Sequence, residues 1–406
     1  MSQFPRYAPE FRIRINDEPL PLALRAAVSS ISYTDGIEGA DRVEVTLANP
    51  NLAFLDHPLL QPDNGFKLEI GYAPDPLEEV FVGEIVGIEP TFPNGGMPTL
   101  RLSVQDFLHR LTRGKKDRAF RISIPSIGNF PLPDVAVASL VSATNLLIPN
   151  PDPVGGALSV LMTLGAYMSA PSVAQVPIRR QESESDFTLL SKIAQENGWE
   201  VFIDHTVQPR GYVLKFKFII QDYAPTVNLK WGASLQDFTP RLTTVGDLFG
   251  ITARVWVATL KTEFIIVVGW DFDRAAFNLQ IYPNLIGDID DILGPEAKGK
   301  TLSIKPTGFP TGLQQILSEL LPRLNNRLTG SGSTPGNPAI KAGEVINLEG
   351  LGDQFSGLYR ITSATHTLDS GGYRTRFDVR KEVWFGSIPV PKGAGGLLRV
   401  QGQRVA

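Results

Sequence analysis

Residues 81–106, FVGEIVGIEPTFPNGGMPTLRLSVQD, decide the fold, because two stretches of alternating apolar and polar residues flank the turn PNGG at 93–96. Alternation with a period of two places one face of a strand against a core and the other toward solvent. The segment therefore predicts a β-hairpin with strands at 80–88 and 100–104.

The same alternation occurs upstream of this hairpin. RVEVTL at 42–47 and FKLEI at 66–70 each place apolar residues at every second position, and NPN at 49–51 ends the first of them. Four strands at the spacing of a meander predict a barrel or a sandwich in roughly the first hundred residues.

The period changes from two to about 3.6 near residue 183. Ser183 and Asp186 resemble a capping box, and Gly198 stands where a helix C-cap belongs. The apolar residues of one helical face are Phe187, Leu190, Ile193 and Ala194. Strands at 199–204 and 212–220, joined by a turn at 208–211, follow this helix and indicate an α+β unit.

Other parts of the chain have weaker patterns. Residues 116–180 are rich in proline and small residues and indicate an insertion. Strands are predicted at 253–258 and 264–268, and a second helix at 313–328. GSGSTPGNP at 330–338 has the composition of a flexible linker without regular structure.

The closing strands, at 345–348, 358–367 and 373–380, repeat features of the first hairpin. FVG at 81–83 and its GG turn are matched by FSG at 355–357 and a second GG turn, with spacings that agree within two residues. This echo predicts an internal duplication. Chance similarity remains an alternative, because Gly-Gly turns between alternating strands recur widely.

Composition excludes several classes of function. A chain of 406 residues with 38 Gly and 32 Pro is long enough for more than one core and rich in turns. The net charge of -4 gives no basic footprint for nucleic acid, so the expected partners are proteins. The absence of cysteine excludes disulfides, thiolate metal sites and cysteine nucleophiles.

The N-terminal residues contain no basic segment followed by an apolar core, so export by the general secretory route is not expected. The segment 154–178 is uncharged and about long enough to cross a bilayer. Pro171 and Pro177, together with Gly, Ser and Gln, dilute its hydrophobicity. The segment is therefore interpreted as a subunit interface or an internal insertion, and no membrane span is expected.

GPEAKGKT at 294–301 matches the phosphate-binding pattern G-x-x-x-x-G-K-[ST]. Its context is unsuitable, because DIDD at 288–291 replaces the buried strand that should precede it, and Pro306 prevents the following helix. A solvated loop is favoured. A phosphate- or nucleotide-binding enzyme centred on Lys300 remains an alternative.

No catalytic, cofactor-binding or metal-binding residue is predicted. A calcium loop that starts at Asp288 would place Leu293 where glycine is needed and Gly299 where a bidentate glutamate is needed. The four histidines are far apart in sequence and lack zinc-site spacing: His57, His109, His205 and His366. No G-x-S-x-G elbow is present. A polysaccharide-binding or polysaccharide-cleaving β-protein is a second alternative.

Four segments, in order, resemble the phage late-control D family of tail hub proteins, which also forms the N-terminal part of the valine-glycine-repeat spike proteins of type VI secretion. They are 66–106 with FVGEIVGIEP, ESESDFTLLSKIAQENGWEVFID at 182–204, 231–257, and 342–381. Each motif is loose, and their order and spacing make the resemblance specific. It covers most of the chain.

The resemblance implies a non-catalytic baseplate hub, without cofactor, from a contractile phage tail or a phage-tail-like injection system. A homotrimer with two related barrels in each subunit would form a pseudo-sixfold ring between the hexameric tail tube and the trimeric spike. The implied partners are the tail tube protein, a separate spike protein and other baseplate proteins. Assembly in the bacterial cytoplasm and a final place in the virion or injection-system baseplate are implied as well.

The expected fold is mostly β with minor α, with two related tube-like β-barrel domains and α+β insertions. Partner contacts are expected at the Gly-rich tail and at 154–178. The predicted divisions are 1–115 (first barrel), 116–180 (insertion of low charge), 181–227 (helix-strand unit), 228–262 plus 338–385 (second barrel), 263–337 (insertion with acidic loop and helix) and 386–406 (tail).

Overall fold

The structure, a computed structural model, describes residues 8–124, 128–169, 178–218, 224–243, 250–257, 262–271, 276–283, 301–304, 325–382 and 385. The strands are β1 (Ala8–Ile15), β2 (Glu18–Pro19), β3 (Val28–Gly36), β4 (Arg42–Ala48), β5 (Gly65–Ala73), β6 (Glu78–Thr91), β7 (Thr99–Gln105), β8 (Lys116–Ile124), β9 (Gly128–Pro131), β10 (Ile148–Pro151), β11 (Arg179–Glu184), β12 (Trp199–Ile203), β13 (Val213–Phe218), β14 (Val227–Lys230), β15 (Asp237–Leu242), β16 (Gly250–Val257), β17 (Thr262–Asp271), β18 (Ala276–Pro283), β19 (Thr301–Ile304), β20 (Leu328–Pro335), β21 (Val345–Glu349), β22 (Gly357–Asp369) and β23 (Gly372–Arg380). The α-helices are α1 (Leu22–Ala27), α2 (Asp134–Thr144), α3 (Pro153–Ser169), α4 (Asp186–Asn197) and α5 (Gly352–Phe355), and 3-10 helices occur at Pro50–Leu52, Pro58–Leu60 and Phe107–Thr112.

Strands β1–β7 form the N-terminal β unit, built on the alternation found in the sequence. On β4, Val43, Val45 and Leu47 are buried, and Phe66, Leu68 and Ile70 of β5 enter the same core. The hairpin β6–β7 pairs Ile85 with Val104 and Ile88 with Leu102. The strands predicted at 42–47, 66–70, 80–88 and 100–104 are confirmed.

Residues 116–218 form a mixed unit of β8–β13 and α2–α4 around a second core. Strand β11 pairs with β8, and β10 and β12 flank β13. Helices α2 and α4 contribute Val137, Val141, Leu190 and Ile193 to this core. The segment 116–180, which the sequence treats as a poorly patterned insertion, contains regular strands and helices that share a core with 181–218.

The helix predicted after residue 183 is confirmed as α4, and its C-cap Gly198 adopts the left-handed conformation. Its N-cap is Ser185, whose Oγ accepts a hydrogen bond from the Thr188 amide at 3.1 Å. The predicted capping role of Ser183 is therefore wrong. Ser183 belongs to β11, where its φ of 50° marks the irregularity before the helix.

The C-terminal β unit consists of β14, β15 and β20–β23. Its core contains apolar residues from before and after the separate sheet β16–β19, among them Leu229, Leu348, Tyr359, Ile361 and Phe377. Strand β14 runs parallel to β21, and the other neighbours in this unit are antiparallel.

Residues 330–338 do not form a linker, and that prediction is wrong. Residues 328–335 are strand β20, which pairs with β15 on one side and β23 on the other. A Cβ atom on Gly330 would lie 2.6 Å from the Phe238 ring, and one on Gly332 would lie 2.8 Å from the Phe377 ring. The glycines therefore provide space for aromatic rings of neighbouring strands.

The two β units are joined edge to edge, because residues 363–368 of β22 pair with 31–36 of β3. The resulting 13-stranded sheet has the main order β15-β20-β23-β22-β3-β4-β7-β6-β5-β1-β2. The mostly β prediction is confirmed. Within the described ranges this path does not return on itself, and the two tube-like barrel domains stay a prediction.

The region between β15 and β20 contains a separate four-stranded sheet of order β18-β17-β16-β19. The sequence placed β16 in the second barrel, whereas it pairs with β17 and, in parallel, with β19. The helix predicted at 313–328 lies mostly outside the described residues, and Leu328 begins β20.

The predicted duplication concerns the hairpins β6–β7 and β22–β23. Both are antiparallel, and each first strand has an irregularity in register, between Ile85 and Gly87 in β6 and between Ile361 and Ser363 in β22. The duplication itself stays a prediction.

Buried charges connect the mixed unit to the C-terminal β unit. Glu200 on β12 forms ion pairs with Arg360 on β22 at 2.6 Å and with Arg380 on β23 at 2.7 Å. Burial alone would raise the pKa of Glu200, but the two guanidinium groups hold it below its ordinary value. These pairs fix the mixed unit against the sheet.

Candidate functional site

Three aspartates and one histidine meet where the N-terminal β unit contacts the mixed unit. Asp35 ends β3, Asp41 precedes β4, Asp106 caps the 3-10 helix Phe107–Thr112, and His205 follows β12. All four side chains are buried. We call these residues the buried acidic cluster.

Backbone amides hold one oxygen of each carboxylate. The Gly36 amide donates to Asp41 Oδ1 at 3.0 Å, and the Leu108 amide donates to Asp106 Oδ1 at 3.0 Å. The Ala342 amide likewise donates to Asp35 Oδ2 at 2.9 Å. The loops that position the cluster therefore fix the orientation of each carboxylate.

The other oxygens face an interior with few partners. Asp41 Oδ2 lies 3.3 Å from His205 Nε2. Among the described residues, Asp35 Oδ1, Asp106 Oδ2 and both ring nitrogens of His205 have no hydrogen-bond partner. One potential metal-ligand atom from each of Asp41, Asp106 and His205 lies within 4.8 Å of the other two.

Burial and neighbouring charges shift the pKa of each residue in the buried acidic cluster. Burial raises the pKa of Asp35, Asp41 and Asp106, and the charge of Asp41 raises it further for the other two. Burial lowers the pKa of His205, although the nearby carboxylates oppose the shift. Such a cluster can take up protons or bind a cation, because its carboxylates cannot all stay charged without compensation.

Separation in sequence concealed this cluster. Its members come from four separate positions without any local spacing rule, and only the contact between units brings them together. The other histidines lie apart from it. His57 caps the 3-10 helix Pro58–Leu60, His109 lies 2.8 Å from Glu84, and His366 is buried beside Tyr373.

The described part of the phosphate-binding pattern, Thr301, does not begin the helix that such a loop requires. Residues 294–300, including Lys300, and the acidic residues at 288–291 lie outside the described residues. Thr301, the last position of the pattern, begins β19. A phosphate-binding loop would open a helix at this point, because helix N-terminal amides hold the phosphate.

Helix α3 contains most of the uncharged segment 154–178 and has an unusual distribution of side chains. Gly155, Ser159 and Met162 are buried against the mixed unit. Large apolar side chains project from the opposite face: Val154, Val160, Leu161 and Leu164. We call these four residues the α3 apolar face. None of the helices within the described ranges has the length and hydropathy that crossing a bilayer requires.

Comparison with known proteins gives no match to a family model and no match among curated proteins. Solved structures do match over nearly the whole chain. The 43 kDa tail protein of prophage MuSo2 from Shewanella oneidensis has a TM-score of 0.59 and 13% identity, with 93% of this chain and 99% of that chain covered. The chain has the fold of phage tail proteins.

Two further structures agree with this fold. The tail protein from Neisseria meningitidis has a TM-score of 0.59 and 11% identity, with 94% of this chain and 100% of that chain covered. The c3393 protein of E. coli is a type VI secretion component that resembles the T4 tail proteins gp27 and gp5. It has a TM-score of 0.52 and 10% identity, with 93% and 79% covered. The predicted hub-type resemblance is confirmed at the level of fold.

Proposed function

We propose that this chain is a structural, non-catalytic hub subunit in the baseplate of a contractile phage tail or a phage-tail-like injection system. The observation that carries the proposal is the match of the whole chain to tail proteins of nearly the same length, at a TM-score of 0.59. Identity of 11–13% limits that match to the fold, and the features below add support for the proposed function.

The arrangement of the two β units supports a ring. Each chain supplies two units joined through β22 and β3, so three chains would place six units around an axis. Such a trimer would face a sixfold tube on one side and a threefold spike on the other. The proposed partners are therefore two further copies, a tail tube protein, a separate spike protein and other baseplate proteins.

The α3 apolar face supports burial against a partner. A helix that packs alone on its own unit normally turns its large apolar residues inward. Here the buried residues are Gly155, Ser159 and Met162, with Leu158 partly buried, while Leu161 and Leu164 are 64% and 52% exposed. Exposed apolar groups of this size are typical of protein interfaces, so this face is proposed as a contact within the baseplate. The tail 386–406 stays a proposed contact as well.

The test is the mass of the purified chain in solution, measured by light scattering over a dilution series, alone and with its spike protein. The expected result is a species of three times the 44.3 kDa of one chain. Electron microscopy of that species with tube protein should show a ring of six similar lobes. A single chain under both conditions would contradict the ring. Nucleotide binding that is lost in Lys300→Ala would favour the phosphate-binding enzyme, and saturable glycan binding or cleavage would favour the polysaccharide-binding or polysaccharide-cleaving β-protein.

A further inference from the structure

The geometry of the buried acidic cluster points to a ligand smaller than a side chain. His205 is 6% exposed and Asp106 is 1% exposed, yet both ring nitrogens and Asp106 Oδ2 lack hydrogen-bond partners among the described residues. These atoms converge with Asp41 Oδ2. Buried polar atoms are nearly always satisfied, so a convergent group of unsatisfied donors and acceptors requires an explanation.

We propose that Asp41, Asp106 and His205 form a binding site for one divalent metal ion of the zinc type. Two carboxylate oxygens and one imidazole nitrogen are a ligand set that Zn²⁺ accepts, with a fourth position open to water. The site is independent of the baseplate function proposed above.

Ligand spacing agrees with this assignment. In a tetrahedral zinc site with bonds of 2.0–2.1 Å, neighbouring ligand atoms lie about 3.3 Å apart. His205 Nε2 and Asp41 Oδ2 are separated by 3.3 Å without forming a hydrogen bond. The third ligand atom is within 4.8 Å of both, so a small movement of Asp106 completes the set.

The amide contacts of the carboxylates agree as well. Asp41 and Asp106 each accept a backbone N–H at one oxygen and turn the other oxygen inward. Outer hydrogen bonds of this type orient metal ligands and hold them in place before the ion binds.

Charge favours a cation over an empty cluster. Asp35, Asp41 and Asp106 place three carboxyl groups in one buried region, and Lys341, the nearby ammonium group, lies 2.6 Å from Glu78. A divalent ion would neutralise two of the carboxylates directly. It would also connect the N-terminal β unit, through Asp41, to the mixed unit, through His205.

The test uses the full chain without an affinity tag, dialysed against a chelator and then titrated with ZnCl₂ by calorimetry. We expect one Zn²⁺ per chain and a melting temperature that rises with Zn²⁺ concentration. Asp106→Asn keeps the helix cap, because asparagine caps as well as aspartate, but removes the anionic ligand. Since loss of an outer-shell contact already weakens metal binding roughly 10–100-fold, Asp106→Asn and His205→Gln should each weaken it by at least about 100-fold.

Matched controls are Asp369→Asn, a half-buried aspartate paired with Arg374, and His366→Gln, a buried histidine outside the cluster. Both should retain full zinc binding. Absence of zinc binding, or equal binding by Asp106→Asn and the wild-type chain, would overturn the proposal. Protonated carboxyl groups would then explain how the cluster tolerates burial. X-ray absorption spectroscopy at the zinc edge, on the wild-type protein with zinc bound, gives a second measurement that needs no variant. One imidazole and otherwise oxygen ligands support the site, and two or more imidazoles contradict it.

Discussion

At the scale of single residues, His366 is fully buried and held as a neutral ring. The Tyr373 hydroxyl lies 2.9 Å from Nδ1, and the Ile340 carbonyl oxygen lies 3.0 Å from Nε2. Because that carbonyl can only accept, Nε2 carries the hydrogen and Nδ1 accepts from the hydroxyl of Tyr373 or of Thr375, whose Oγ1 lies 3.1 Å away. Burial, opposed by the Ile340 hydrogen bond and assisted by the charge of Lys341, lowers the pKa of His366 to about 4.

This shift predicts a loss of stability in acid. An unfolded histidine binds its proton near pH 6.5, so between pH 6.5 and 4 the unfolded state binds more protons than the folded state. The contribution of neutral His366 to the free energy of unfolding is complete above pH 6.5. It falls as the pH approaches 4, by about 3 kcal/mol in total. Urea unfolding should show that the free-energy difference between wild type and His366→Gln is smaller at pH 4.5 than at pH 7, by about 2–3 kcal/mol.

Taking this difference cancels the titrations shared by both proteins, which include that of buried Asp35. Tyr33 and Tyr373, beside the ring, stay protonated over this pH range because burial raises the pKa of each. His57→Gln, at the N-cap of the 3-10 helix Pro58–Leu60, is the control for loss of an imidazole. A difference that stays constant between pH 4.5 and 7 would refute the shift at His366.

At the scale of elements, the buried ion pairs between β12 and the hairpin β22–β23 fix the mixed unit on the sheet. Glu200→Gln keeps the shape of the side chain but removes one of the two buried carboxylates that face Arg360 and Arg380, the other being Glu382. Breaking a buried pair from one side typically costs about 3–5 kcal/mol. Because Glu382 stays beside both arginines, we expect a loss at the lower end of this range in the free energy of unfolding, measured with urea.

The matched control is an exposed ion pair in the same hairpin. Asp369 and Arg374 lie 2.7 Å apart at its turn, and Asp369→Asn should cost at most about 1 kcal/mol because solvent screens the pair. Equal losses for Glu200→Gln and Asp369→Asn would mean that the buried pairs do not hold the units together.

At the scale of the whole molecule, the α3 apolar face is the surface most suited to contact within a ring. The double substitution Leu161→Asp and Leu164→Asp places two charges there, and the cost of burying them should prevent association. Light scattering should then give the mass of one chain under conditions in which the wild type forms trimers. The prediction rests on the proposed hub function.

Leu22→Asp is the matched control, since Leu22 is an exposed leucine on α1 in the N-terminal β unit. That variant should still form trimers. If the Leu161→Asp, Leu164→Asp protein still forms trimers, α3 is excluded from the interface. The proposed ring itself is tested separately, by the mass of the wild-type protein in solution.

The sequence by itself determined strands β4–β7 and β21–β23 and the helix α4. On β4, for example, the alternation of Val43, Val45 and Leu47 with polar residues is a local signal, and the side chains are buried as it requires. The cap at Gly198 is local as well, because only the residue that ends the helix needs a left-handed backbone.

Only the tertiary structure decided the role of β20, the joining of the two β units and the buried acidic cluster. The composition of β20 predicts a linker, since glycine and serine have low strand propensity, and the aromatic rings that require those glycines belong to β15 and β23. Asp41, Asp106 and His205 likewise meet only after two units pack. Strand periodicity is set by neighbours along the chain, whereas these features depend on contacts between residues that are far apart in sequence, so no local pattern encodes them.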